Sequence, residues 1–206
     1  MNKSLALLAA PLLLALSGTA WSQQPAPTQN TPERAIHVCN ACHGEGGSGS
    51  NPKFPKLAAQ QRLYLAEQLK KFRSQARADS SPEGYMWGIS ALLEDETIAG
   101  LAEYYASQKA VPGKPARETL MAQGKKIFQE GIPAQQVKPC VECHGDAGQG
   151  DAQFPRIASQ HADYLVKQLK LFNTKLRPHG KVMKDHIASK MNPQQMQAVA
   201  AYLQAR

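Results

Sequence analysis

Cys39-Asn40-Ala41-Cys42-His43 and Cys140-Val141-Glu142-Cys143-His144 decide how this chain is read. Each is C-x-x-C-H, the attachment signature of a c-type haem. The spacing has a chemical reason. Two thiols on one helical turn can each add to a vinyl group on the same porphyrin edge, and the histidine that follows is drawn under the iron as a ligand. All four cysteines of the chain lie in these two motifs. Other uses of paired cysteines fit less well. A thioredoxin-like redox pair needs a βαβ setting, and no strand pattern lies nearby. A shared zinc site needs its pairs about 15–20 residues apart, whereas these are separated by most of a domain. A disulfide within each pair would leave both histidines unexplained. The reading is two covalent haem c groups, bound through Cys39, Cys42, Cys140 and Cys143, with His43 and His144 on the irons.

Outward from the motifs, the chain repeats itself. Phe54-Pro55-Lys56-Leu57-Ala58 answers Phe154-Pro155-Arg156-Ile157-Ala158. Gln60, Tyr64, Gln68 and Phe72 answer Gln160, Tyr164, Gln168 and Phe172, and Arg77 answers Arg177. Two copies are too few for a solenoid, so the expectation is two tandem globular units, each with its own haem. The units are placed at residues 23–109 and 117–206, joined by the Pro-rich linker 110–116.

The periodicity within each unit is helical, with essentially no strand signal, which makes the fold class all-α. In unit one, Pro32-Glu33 opens the motif helix. Leu65, Leu69 and Phe72 mark a helix over 58–77, and Ile98, Leu101, Ala102 and Tyr105 mark another over 95–109. Residues 78–88, with Pro82, Gly84 and Met86, read as a looser stretch. In unit two, helices are expected over 117–130 and 157–176. A loop then holds Pro178, Gly180 and Met183, and a last helix is capped by Asn192 with Pro193 at its first position. Units this small need the haem to supply much of their core.

The first 22 residues read as a secretory signal: Lys3, an apolar run from Leu5 to Leu16, then the small-residue exit Ala20-Trp21-Ser22. The run is short of the roughly 20 residues that span a bilayer, which disfavours a retained anchor. Export to the periplasm agrees with haem attachment outside the cytoplasmic membrane. The formal charge of the chain is +8. Such a surface steers encounter with acidic patches on a partner. Nucleic acid is a poor match, since Lys70-Lys71 and Lys125-Lys126 read as solvated helix faces.

Both motifs are followed by F-P-[KR]-[LI]-A-x-Q and Y-L-x-x-Q-L, and in this the chain resembles the dihaem cytochromes c4, periplasmic electron carriers built of two class I cytochrome c domains. The resemblance covers nearly all of the chain beyond the signal. It implies low-spin haems with His–Met ligation, propionates meeting near the domain interface, and delivery of single electrons to a terminal oxidase or another acceptor. Carried onto this chain, it makes Pro55 and Pro155 the carbonyl partners of the proximal imidazoles, Met86 the distal ligand of the first haem and Met183 that of the second. Met183 sits one residue early when the last helices are aligned, and His179 and His186 compete with it. The expected partners are redox proteins, among them a membrane respiratory complex or terminal oxidase docked transiently, with no small-molecule substrate and no enzymatic activity. A dihaem peroxidase or sulfur-compound dehydrogenase is the rival reading. It would need an open iron beside acid–base residues, and no carboxylates cluster near either motif.

Overall fold

The structure, a computed structural model, describes residues 32–78 and 83–206. The signal read at 1–22 lies outside them. The described residues form nine α-helices and three short 3₁₀ turns, with two isolated β-bridges and no strand. Unit one contributes α1 (Pro32–His43), α2 (Arg62–Arg73), α3 (Glu83–Ser90) and α4 (Asp95–Ser107). Unit two contributes α5 (Glu118–Glu130), α6 (Val141–His144), α7 (Ala162–Leu171), α8 (Lys181–His186) and α9 (Pro193–Gln204).

Each unit has its own apolar cluster. In unit one, Ala35 of α1, Leu65 of α2 and Leu101, Ala102 and Tyr105 of α4 come together. In unit two, Ile127 and Phe128 of α5 pack with Met196, Val199, Tyr202 and Leu203 of α9, and Phe128 is fully buried. The unit-two crossing is tight. A Cβ on Gly124 would stand 2.1 Å from the Ala198 carbonyl oxygen, so only glycine lets α5 lie on α9. Unit one has no residue like Gly124 on its first helix. It carries the small residue on the other helix of the pair instead: Gly100 of α4 receives the Pro32 ring.

Four expectations on element boundaries change, and one is the loop read at Met183, a residue that lies on α8 (Lys181–His186). The helix read over 58–77 spans Arg62–Arg73, because Ala59 takes a left-handed φ of 55° and Gln75 one of 59°. Its counterpart read over 157–176 spans Ala162–Leu171, with Ser159 at φ 66° before it. Met86 is on a helix rather than in a loop, because α3 begins at Glu83 and the Trp87 indole N–H donates to the Arg77 carbonyl (2.7 Å), tying it to the end of the previous segment. The Asn192 cap stands as read: its side chain accepts from Gln195 N–H at 2.9 Å, and the Gln195 side chain accepts from Asn192 N–H.

The units meet through reciprocal contacts. The Gln60 amide accepts from Arg156 N–H (2.7 Å) and donates to Arg156 C=O (2.9 Å). Gln160 does the same to Lys56, at 2.9 Å and 2.9 Å. Arg77 stacks on Phe72 and donates to Tyr164 Oη (3.1 Å), while Arg177 stacks on Phe172 and donates to Tyr64 Oη (3.4 Å). The connecting segment is fastened down, with Gly113 N–H donating to the Gln204 carbonyl (2.7 Å). No helix among the described residues is long and apolar enough to cross a membrane.

Candidate functional site: two haem attachment centres

In each unit the motif ends a helix so that the histidine points inward. His43 closes α1 and His144 closes α6, and each is 8% exposed. The chain turns at once through Gly44 (φ 77°) and Gly145 (φ 75°), a left-handed conformation that side chains resist. The return is hydrogen-bonded: Gly49 N–H donates to the His43 carbonyl (2.7 Å) and Gly150 N–H to that of His144 (2.8 Å).

The proline that follows each motif then sets the ring. His43 Nδ1–H donates to the Pro55 carbonyl, and His144 Nδ1–H to that of Pro155, both at 2.8 Å. A carbonyl only accepts, so Nδ1 holds the proton and Nε2 keeps its lone pair. Burial pushes both imidazoles below the usual histidine range, and the proline carbonyls oppose this. The rings are therefore neutral bases with a fixed orientation, as an iron ligand must be. Phe54 and Phe154 stand edge-on to the two imidazoles, with ring centroids at 6.1 and 6.5 Å.

Within each cysteine pair the two thiols differ. Cys39 and Cys140 are partly buried in their units' cores, whereas Cys42 and Cys143 are exposed. Burial raises the Cys39 thiol and pushes that of Cys140 up to about 12, so both inner sulfurs are protonated thiols before attachment. The residues present fit a covalent haem in both units: two thiols and one neutral imidazole with a free lone pair. Among the described residues, two buried donors have no partner, Arg156 Nε and Gln168 Nε2. Both lie where the units meet, and the carboxylates of haem propionates would satisfy them.

The distal candidates sit as follows. Met86 is half-buried on α3, where its carbonyl accepts from the Ser90 hydroxyl. Met183 is half-buried on α8 and packs against the unit-two core. His179 and His186 are both exposed. His161, also of unit two, is buried and donates from Nε2 to the Gly49 carbonyl of unit one at 2.9 Å. Met191 and Met196 are core residues.

The Cytochrome c family model matches residues 121–206. Cytochrome c4 of Thiocapsa roseopersicina is 38% identical over 192 residues, which cover 88% of this chain and 96% of that one. The chain belongs to the cytochrome c4 family. The solved structure of Acidithiobacillus ferrooxidans cytochrome c4 superposes with a TM-score of 0.76 at 36% identity, covering 82% of this chain and 99% of the other. A thiosulfate dehydrogenase electron acceptor of Stutzerimonas stutzeri is 34% identical over 201 residues, covering 94% of this chain and 90% of that one. Membership of the cytochrome c4 family makes this chain a c-type cytochrome that carries electrons on covalent haem c, with Cys39/Cys42 and Cys140/Cys143 fitting the two attachment motifs.

Sequence reasoning missed the contacts between the units. The signal was present: Gln60, Tyr64, Gln68 and Arg77 all keep their counterparts in the repeat. Polar residues retained in both copies mark a shared surface, and here that surface is the interface.

Proposed function

We propose that this chain is a periplasmic dihaem carrier that passes single electrons between respiratory-chain partners, with a terminal oxidase as acceptor. His43 and Met86 are the axial pair in unit one, His144 and Met183 the pair in unit two. The observation that carries this reading is the matched pair of neutral imidazoles, each pinned through Nδ1 to a proline carbonyl at 2.8 Å. A bound haem supplies a one-electron ferric/ferrous couple, and thioether ligation raises its potential relative to a second imidazole. The protein's own residues do the rest. They hold each imidazole in one tautomer, bury it from water, and lock the two units against each other so that one site can receive an electron while the other passes one on. Passing an electron needs no bound substrate and makes no bond, and on this reading the chain is a carrier.

The exposure of His179 and His186, beside a Met183 turned toward the core, favours the thioether as the second distal ligand. The name of the Stutzerimonas relative favours an enzyme that oxidises sulfur compounds as one electron donor. The test is stopped-flow oxidation of the purified, reduced cytochrome by membranes containing a terminal oxidase, with amino-terminal sequencing of the protein recovered from the periplasm. The expected result is rapid reoxidation that slows as salt rises, by a mature protein beginning near Gln23. Reoxidation no faster than in air alone, or a chain retained in the cytoplasm with residues 1–22 intact, would overturn it.

A further inference from the structure

The two haem sites are copies of one another, yet the surroundings of their inner cysteines differ. Tyr105 on α4 is 2% exposed and packs with Cys39 in the unit-one core. The same hydroxyl donates to Asn40 Oδ1 at 2.9 Å, and Asn40 Nδ2 donates in turn to the exposed Glu45 carboxylate at 3.1 Å. A chain of polar groups thus runs from a surface anion to the sulfur of the first attachment cysteine. Unit two has no such chain. Its Asn40 counterpart is Val141, and Leu203 stands where Tyr105 does. The equivalence is structural: Ala59 N–H donates to the Tyr105 carbonyl (2.9 Å) and Ser159 N–H to that of Leu203 (2.8 Å).

We propose that Glu45, Asn40 and Tyr105 act together to lower the reduction potential of the unit-one haem relative to that of unit two. The argument rests on the haem reading above and on the direction of each dipole. The carboxylate draws the Asn40 amide hydrogens toward itself, which turns the amide oxygen toward Tyr105. That oxygen holds the tyrosine proton, which leaves the negative end of the hydroxyl facing Cys39. Once attached, the sulfur is a thioether with no proton to offer, so Asn40 remains the acceptor for the hydroxyl. Burial, and after it the Cys39 neighbour, push the Tyr105 pKa upward, so the hydroxyl stays neutral and acts as a fixed dipole. A negative end aimed at the attachment edge favours the ferric state, which carries one more positive charge, and the buried setting screens it little. Tyr105 is a positioning and tuning residue that acts through the attachment cysteine it packs against.

The test is an optically monitored potentiometric titration of the purified two-haem protein and its variants. Met86→His, which exchanges a thioether for an imidazole, identifies the unit-one step as the one it lowers. Tyr105→Phe keeps the buried ring and removes the dipole. It is expected to raise that same step by about tenfold in the one-electron equilibrium, about 59 mV, and to leave the other in place. Glu45→Gln is exposed and cannot disturb packing, and it should raise the same step by less. If Tyr105→Phe moves neither step, moves both alike, or lowers the unit-one step, the inference is wrong while the carrier reading stands. A wild-type protein that does not hold two haems would overturn the carrier reading instead.

Discussion

At the scale of single residues, the decisive contact is the 2.8 Å bond from each proximal Nδ1–H to a proline carbonyl. It chooses the tautomer, and the resemblance to the cytochromes c4 anticipated it, with the prolines twelve and eleven residues after the two histidines. The second distal ligand is part of the proposal: the loop alignment leaves Met183 one residue early with two histidines close by, and the packing of Met183 against the unit-two core supports the thioether. Met183→Ala is expected to remove about half of the far-red sulfur-to-iron absorption of the ferric protein, while His179→Ala and His186→Ala leave it whole. His161 makes a different prediction. Burial holds its pKa below the usual value, with Lys56 adding to the shift and the Gly49 carbonyl and Asp163 opposing it. A histidine depressed in the folded state contributes its full stability above about pH 6.5 and loses it as pH falls through the lowered value. Denaturant titrations should therefore show stability falling from pH 7 toward pH 5, with a shallower fall in His161→Gln, which installs the residue that unit one carries as Gln61. Gln61 makes the matching contact from the other side, donating to the Gln149 carbonyl at 2.9 Å.

At the scale of elements, the helices that end on strong local chemistry were legible. The Asn192–Pro193 start of α9 and the breadth of α5 follow from caps and periodicity. The middle helices were read too long, because their apolar spacing continues into segments where Ala59 and Ser159 take left-handed conformations to hand their N–H groups to the last helix. Nothing in an alanine or a serine announces that. Helix α3 was missed because Pro82 stands immediately before it and Gly84 lies in its first turn, and both residues read as loop signals. The crossing of α5 on α9 depends on one absent side chain. Gly124→Ala would place a methyl 2.1 Å from a backbone oxygen, which cannot give way as a flexible side chain would. The helices must part, at a cost of about 1–3 kcal/mol that exceeds the ~1 kcal/mol gain in helix propensity. Thermal unfolding followed in the haem bands should show that loss in Gly124→Ala.

At the scale of the whole molecule, duplication explains both the fold and the surface that joins its halves. The repeat was plain in the sequence, and so were the attachment cysteines. The interface was not, because a glutamine kept in both copies reads equally well as a solvated helix residue until its partner across the interface is seen. Gln60 and Gln160 each make a pair of bonds to the backbone of the other unit. The double variant Gln60→Ala/Gln160→Ala would leave part-buried backbone groups of Lys56 and Arg156 unmet, each at about 1 kcal/mol, below the full penalty for a buried group. Small-angle scattering should then show a more extended particle, with each haem's own spectrum unchanged. Most directly, the central claim of two six-coordinate His–Met haems on one chain is tested by the ferric absorption spectrum of the purified protein, with haem counted per chain as the pyridine haemochrome. The account predicts two haems, a low-spin spectrum and a far-red band of the strength of two thioether-ligated irons. A count of one, or a high-spin signature from an iron with an open position, would contradict it.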